Sequence, residues 1–315
     1  MTIALSRVSV GLPDRMESVE DILARNDRPV TERRLFTKVY KLRQSPTLQP
    51  GEQMADLIVR TGRAALGGER ATMVLYGHTL LLQEFGYRGG FAKRLRGGLG
   101  LPGVPFYGVS HIACTSVLRS VELARAYLMR PEADPDDTVL LLGGDHGSVV
   151  DSARIVPGMT VGGDAAIGVL VHRGPGRYRY LGGALARDSR FHRSLRMSHD
   201  DLRLFSQVCC STAISVMNRA LADAGITQGD VDWVMPHLSN AMFWRTFSNA
   251  SGIAMDKFCL DLISEQGHTF GADALMALAH MERTGRLEVG QRCLLIALGQ
   301  GAYFQAVVVE IGADR

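Results

Sequence analysis

Hydrophobic positions along this chain follow two periods, and the periods alternate. Unbroken apolar runs occupy "ATMVLYGH" (71–78), "DTVLLLGGD" (137–145), "VDWVMPH" (231–237) and "QRCLLIALGQG" (291–301), the pattern of strands buried on both faces. Elsewhere the apolar residues shift to helical spacing. After Cys114, the residues Val117, Val121, Ala124 and Leu128 make one stripe; after His268, the residues Ala274, Leu275, Leu278 and Met281 make another. Strands alternating with helices in this way predict parallel or mixed sheets covered by helices on both faces.

The order of these runs repeats. One apolar strand ends in His78 and a second in His237. "FYGVSHIACTSVLRSVELARAYL" passes from strand through Cys114 into helix, as "FCLDLISEQGHTFGADALMALAHM" passes through His268, and the glycine-ended strands 137–145 and 291–301 form the third match. Two pseudo-symmetric halves, 1–172 and 173–315, joined near "HRGPGRYRYLGG" (172–183), predict a five-layered α/β/α/β/α fold with its site where the halves meet. The first half carries the cysteine and the second the two histidines. The stretch 30–54 reads as loop and short helix.

Composition narrows the classes. With 46% apolar residues, 315 residues bury a large core. A net charge of +3 without aromatics interleaved among basic residues argues against nucleic acid. No run of 18 uncharged apolar residues occurs, and Arg7, Asp14 and Arg15 interrupt the N-terminal stretch, so a cytoplasmic protein off the membrane is expected. Five cysteines without a CxxC pair read as reduced thiols, of which Cys209, Cys210, Cys259 and Cys293 lie in apolar runs and read as core. Neither CxxC nor HExxH is present, so no metal is expected, and no GxSxG elbow points to a serine hydrolase.

Cys114 is the residue that raises a question of chemistry. At the first turn of a helix it faces the positive end of the dipole and unpaired N–H groups, a setting that favours a thiolate; the plain alternative is a small hydrophobe between strand and helix. Two histidines decide between them. His237 follows a strand and a proline at a C-terminal sheet edge, where α/β folds gather ligands, and His268 lies in the turn that mates with the turn of Cys114. If a two-fold relates the halves, the three converge as a catalytic set. "ALGQGAY" (297–303) ends a buried strand in glycines, so the backbone N–H groups of Gln300 and Cys114 are candidates for an oxyanion hole, with Gly299 and Gly301 beside the substrate. His78 and His111 are placed at the same cavity as substrate-binding candidates, with His146 near it and no role assigned. Asp273, one helical turn past His268, either orients that histidine or has a solvent or cap role.

In this order, Cys114 in "ACTS", "GGDAAIGVLV" (162–171), His237 in "PHLSN", His268 in "GHTFGAD" and the closing "ALGQGAYFQAVVVEI" resemble the β-ketoacyl-acyl-carrier-protein synthase III group of the thiolase superfamily. The resemblance is best over roughly 105–312. It implies Cys114 as nucleophile, His237 as the family histidine and the Gln300 N–H as an oxyanion donor. It also implies a homodimer of fatty acid or polyketide biosynthesis, with no permanently bound cofactor and an acyl-coenzyme A or acyl-carrier-protein thioester as substrate. The implied reaction loads an acyl group on Cys114 and condenses it with a malonyl carrier-protein unit. The alternative is transfer without decarboxylation to a hydroxyl or amine, because His268 stands where the family has asparagine. A third reading, an inactive partner subunit, sits badly with a chain that keeps both cysteine and histidine. The family's tryptophan and arginine segment for coenzyme A has no counterpart in 30–54, and the basic run "FAKRLRGG" (91–98) is either a carrier-protein contact or a solvated face.

Overall fold

The computed structural model describes residues 2–80, 90–193 and 196–313. Its strands in chain order are β1 (Ile3–Gly11), β2 (Met16–Ser18), β3 (Gln44–Pro46), β4 (Met73–Gly77), β5 (Phe106–Val109), β6 (Thr138–Asp145), β7 (Ile155–Val156), β8 (Thr160–Val161), β9 (Ala165–Arg173), β10 (Tyr178–Arg187), β11 (Trp233–Pro236), β12 (Arg292–Gly299) and β13 (Tyr303–Ile311). The α-helices are α1 (Val19–Arg25), α2 (Val30–Arg34), α3 (Met54–Leu66), α4 (Gly90–Leu99), α5 (Ser116–Leu128), α6 (His199–Asp223), α7 (Ala241–Ser251), α8 (Asp261–Glu265) and α9 (Asp273–Arg283).

Nine strands form a mixed sheet in the order β11-β12-β13-β10-β1-β9-β6-β4-β5. Its middle is thinly joined. β1 pairs along β9 over nearly its whole length but meets β10 only at Ala4–Arg179 and Leu5–Tyr178. On either side of that join the element order is the same apart from β5, which has no counterpart strand: β1-α3-β4-β5-α5-β6-β9, then β10-α6-β11-α9-β12-β13. β4 lies parallel to both β5 and β6, whereas β11 lies parallel to β12 and has on its other side only the bridge Val234–Phe258. The strand expected ahead of His268 is thus reduced to one bridge, and α8 fills the interval.

Helices cover both faces. α3 packs on β1, β6 and β9 and carries α4 beside it; α6 packs on β10 and β13 with α7 beside it. Between the two groups of strands lie α5 and α9, each touching both: α5 meets β4, β6 and β13, and α9 meets β11, β12 and β1. The apolar runs are unbroken because alternate residues serve different layers. In β6, Leu140 and Leu142 join Val74, Tyr76 and Ile58 in one core, while Val139 and Leu141 join Val117, Val121 and Leu128 in the other. The stripes read on α5 and α9 are buried throughout. Leu141→Ala is expected to lower the unfolding free energy by about 2–5 kcal/mol, read as a shifted urea midpoint at unchanged slope, because its site is fully enclosed.

Two details differ from the sequence reading. Residues 30–54 hold, besides α2 and a single π-helical turn at Leu35–Val39, the strand β3, which pairs with β2. Cys210 is half-buried on α6, so only Cys209, Cys259 and Cys293 of the remaining thiols are core residues.

Candidate active site

Two strained turns build the site. The chain leaves β5 and enters α5 through a 3₁₀ turn at Ala113–Thr115, with His111 at φ 65° and Ala113 at φ 50°. It enters α9 through a second 3₁₀ turn at Phe270–Ala272, opening on Phe270 at φ 59°. Left-handed backbone costs a residue with a Cβ about 1–2 kcal/mol, so packing must enforce both turns. The packing is reciprocal: the Cys114 turn rests on β12 and β13, the Phe270 turn on β6 and β9, and the turns touch each other. Gly271, the counterpart of Cys114, permits that contact, because a Cβ there would lie 2.9 Å from Val117 Cγ2. His237 arrives from a third direction. It follows β11 directly, and its carbonyl is held by the Trp244 indole N–H of α7 at 2.6 Å.

The three predicted catalytic side chains meet. Cys114 Sγ is 3.6 Å from His268 Nε2, the His237 and His268 rings lie 4.4 Å apart at 34°, and the sulfur and one nitrogen of each ring all fall within 4.8 Å of one another. All three are buried. Behind them sits Asp273, whose two oxygens accept from His268 Nδ1 (2.6 Å), Leu238 N (2.7 Å), Thr269 N (2.6 Å) and Thr269 Oγ1 (2.7 Å). The carboxylate therefore orients His268 and also ties the His237 loop to the His268 turn. Of the two roles read for Asp273, the orienting one holds.

Charge follows from this geometry. Burial works against the charged forms of His268 and Asp273, but their mutual attraction prevails: His268 is raised to about 10, with Cys114 adding to the rise, and Asp273 is held below the usual carboxylate range. Burial, reinforced by the positive His268, pushes His237 down to about 3, so its ring is neutral. Because the folded value of His268 exceeds its ordinary 6.5, its contribution to stability is complete below about pH 6.5 and lost as pH rises through about 10. The stability difference between wild type and His268→Asn, from urea unfolding, should accordingly be largest near pH 6, shrink as pH rises above about 6.5 and level off by about pH 10.

Asp145, at the end of β6, is a residue the sequence reading passed over. It is buried, accepts from the N–H groups of Thr79 (2.8 Å) and Leu80 (2.7 Å), and is lifted by burial to about 7 against the pull of those donors and of His268. Its signal was an aspartate after Gly-Gly closing an otherwise apolar strand.

The remaining candidates divide. Gly299 lies against the Cys114 turn: a Cβ there would sit 2.9 Å from Ile112 O, 3.0 Å from Ala113 Cβ and 3.2 Å from Cys114 N. Gly299→Ala should displace that backbone and lower the unfolding free energy by about 1–3 kcal/mol, read from urea unfolding. Gln300 follows Gly299 at the end of β12, and Gly301, at φ 83°, forms the β12–β13 turn facing the Tyr303 ring. His78 is buried at the end of β4, stacked on Tyr76, with Nδ1 2.9 Å from Leu80 O; His111 is exposed, with Nδ1 2.9 Å from Ser110 Oγ. Burial lowers His78 below the usual histidine range, and neither His78 nor His111 joins the cluster around the sulfur. His146 lines a separate charged cleft of about 330 Å³ with Arg15, Arg25 and Arg154. The run 91–98 is α4, whose Phe91, Leu95 and Leu99 are buried and whose Arg94 pairs with Asp56 at 2.8 Å. Among the described residues no helix is long and apolar enough to cross a membrane.

The family model 3-oxoacyl-[acyl-carrier-protein] synthase III C terminal matches residues 221–311, which include His237, His268 and Gln300. A β-ketoacyl-[acyl-carrier-protein] synthase III of Dinoroseobacter shibae is 32% identical over 179 residues, 55% of this chain and 52% of that protein, so the chain spans about half the length of this relative. Two solved structures are alike over the whole chain: ChlB3, described as an acyltransferase (TM-score 0.87, 19% identity, covering 100% of this chain and 99% of that one), and 3-oxoacyl-(acyl carrier protein) synthase III from Pseudomonas aeruginosa (TM-score 0.82, 20% identity, 100% of both). The fold is the thiolase-like one of these solved structures, and residues 221–311 match the synthase III C-terminal model. In sequence the chain is similar to β-ketoacyl-acyl-carrier-protein synthase III.

Proposed function

We propose that this protein is an acyltransferase that takes an acyl group from a carrier thioester onto Cys114 and delivers it to a hydroxyl or amine. The observation that carries the reading is the line Cys114 Sγ, His268 Nε2, His268 Nδ1, Asp273 Oδ2, with contacts of 3.6 Å and 2.6 Å. Attack on oxygen or nitrogen requires a base for the acceptor proton, and an imidazole fixed by a buried carboxylate is such a base. Decarboxylative condensation requires hydrogen-bond donors and no acceptor deprotonation.

In the first step the Cys114 thiolate adds to the thioester carbonyl, and the N–H groups of Cys114 and Gln300 receive the oxyanion. The carbon–sulfur bond to the carrier then breaks, and the His268 Nε2 proton goes to the departing thiolate, leaving a carrier thiol and a neutral imidazole. In the second step that nitrogen removes the acceptor proton as the acceptor attacks the acyl carbon. The bond to Cys114 breaks, and the thiolate and imidazolium return. His237, neutral and beside both, donates to the carbonyl oxygen. The proposed halves, 1–172 and 173–315, supply the nucleophile and the two histidines respectively. A homodimer acting in the cytoplasm without a resident cofactor, on coenzyme A or carrier-protein thioesters, belongs to the same proposal, as do substrate contacts from His78, His111, Gly299 and Gly301.

A second reading, condensation with a malonyl carrier-protein unit, is favoured by a different observation: two imidazoles flank the sulfur within 4.8 Å, so both are placed to hydrogen-bond one thioester carbonyl. Intact-mass analysis with a panel of acyl thioesters, followed by hydroxyl and amine acceptors or by malonyl carrier protein, separates the two. Loss of the adduct to an acceptor without carbon dioxide supports transfer. Carbon dioxide release coupled to adduct loss supports condensation, and no adduct with any thioester rejects both.

A further inference from the structure

The three side chains at the centre of the site are also a set of metal ligands. A tetrahedral zinc ion with a Zn–S bond of about 2.3 Å and Zn–N bonds of about 2.0–2.1 Å separates its sulfur and nitrogen ligands by about 3.5 Å. Cys114 Sγ and His268 Nε2 are 3.6 Å apart, and the third ligand, a ring nitrogen of His237, is within 4.8 Å of both. His268 further has the support that zinc-binding histidines use: its other nitrogen donates to a buried carboxylate, Asp273 Oδ2, at 2.6 Å, which fixes the ring and leaves Nε2 facing the sulfur. His237 is 6% exposed, and its buried Nδ1 has no hydrogen-bond partner among the described residues, so no such bond fixes the position of its proton and the ring is able to turn a lone pair inward. The spacing 114, 237, 268 hides this set from any search for short ligand pairs, because three separate loops bring it together.

We infer that Cys114, His237 and His268 form a reversible Zn²⁺ site with an open fourth position. Binding joins the metal to the sulfur, to His268 Nε2 and to one nitrogen of His237, and releases to solvent the one proton that the sulfur and Nε2 share. The ion removes the lone pair with which the sulfur attacks a thioester, so occupation and acylation exclude each other. That consequence rests on the proposed acyl transfer; the binding itself does not.

The test uses the whole chain after treatment with a chelator, with Zn²⁺ or Cd²⁺ alone as the probe. Expected results are one equivalent of Zn²⁺ bound, alkylation of Cys114 by iodoacetamide slowed by about tenfold or more and restored by chelator, and an ultraviolet cadmium–thiolate band absent in Cys114→Ser. Asp273→Asn should weaken Zn²⁺ binding by about 10–100-fold, and His237→Gln, folded by near-ultraviolet circular dichroism, should weaken it at least as much. Unprotected Cys114 at saturating Zn²⁺, or equal Zn²⁺ affinity in Cys114→Ser and wild type, overturns the inference; the cadmium band, read on wild type itself, decides the case if the His237 variant does not fold. A chain that binds one Zn²⁺ at Cys114 but takes no acyl group defeats only the transfer reading, and a chain acylated on Cys114 but indifferent to Zn²⁺ defeats only this one.

Discussion

Replacing Cys114 with alanine is expected to abolish the acyl adduct seen by intact mass and to lower the transfer rate by about 10⁴-fold or more. The size follows from the role: without the sulfur there is no covalent intermediate, and the acceptor must attack the carrier thioester directly, with only binding and the oxyanion donors to help. Stability should change little by comparison. Cys114 is small, and its neighbours Gly271 and Gly299 are glycines, so the turn keeps its shape when one sulfur atom is removed. An adduct that persists in Cys114→Ala, or transfer at an undiminished rate, would mean that another group is the nucleophile. Cys209, Cys259 and Cys293 are poor substitutes, since burial pushes each of these thiols well above the usual thiol range.

Asp273→Asn should produce the second largest loss, about 10²–10⁴-fold in transfer, through the tautomer of His268. The carboxylate accepts from His268 Nδ1, which leaves Nε2 to exchange a proton with sulfur, leaving group and acceptor. An amide in its place either puts its NH₂ at the Oδ2 position, toward His268 Nδ1 and against the Leu238 N–H, which puts the proton on Nε2 and removes the base, or puts it at the Oδ1 position against the Thr269 N–H, setting donor against donor. The variant also loses the negative partner that keeps His268 charged, so its pH profile for transfer should move to lower pH. A purely structural Asp273 would lower the amount of folded protein and leave that profile in place, and this outcome would sink the assignment of the relay. The measurement is single-turnover transfer from preformed adduct across pH 5–10, with wild type beside Asp273→Asn.

Much of this site was legible in one dimension. Cys114, His237 and His268 stand out because each follows an apolar run that must be a buried strand, and a chain leaving such a strand for a helix must turn at the sheet edge. The repeat then implied that two such turns face each other. Less legible was anything that depends on distance between side chains. Asp273 admitted two roles until its oxygens were found on His268, Thr269 and Leu238 together. His78 and His111 looked equivalent to the other histidines by position, yet a strand end has several directions, and theirs lead beside the cluster rather than into it. The strand before His268 failed for a related reason: β propensity in "FCLDL" found a pairing partner at Phe258 alone, and α8 took the rest of the interval.

By itself the sequence determined the layers, because strands with both alternating sets of side chains apolar are stable only between two covers, and two stripes at helical spacing supplied the middle one. It also determined which sulfur sits at the head of a buried helix. Tertiary structure alone decided the chemistry of His268. The same ring in "GHTFGAD" would titrate as an ordinary histidine in water, and it is the buried carboxylate 2.6 Å behind it and the sulfur 3.6 Å in front, in a buried setting of low dielectric, that give it a charge to hold.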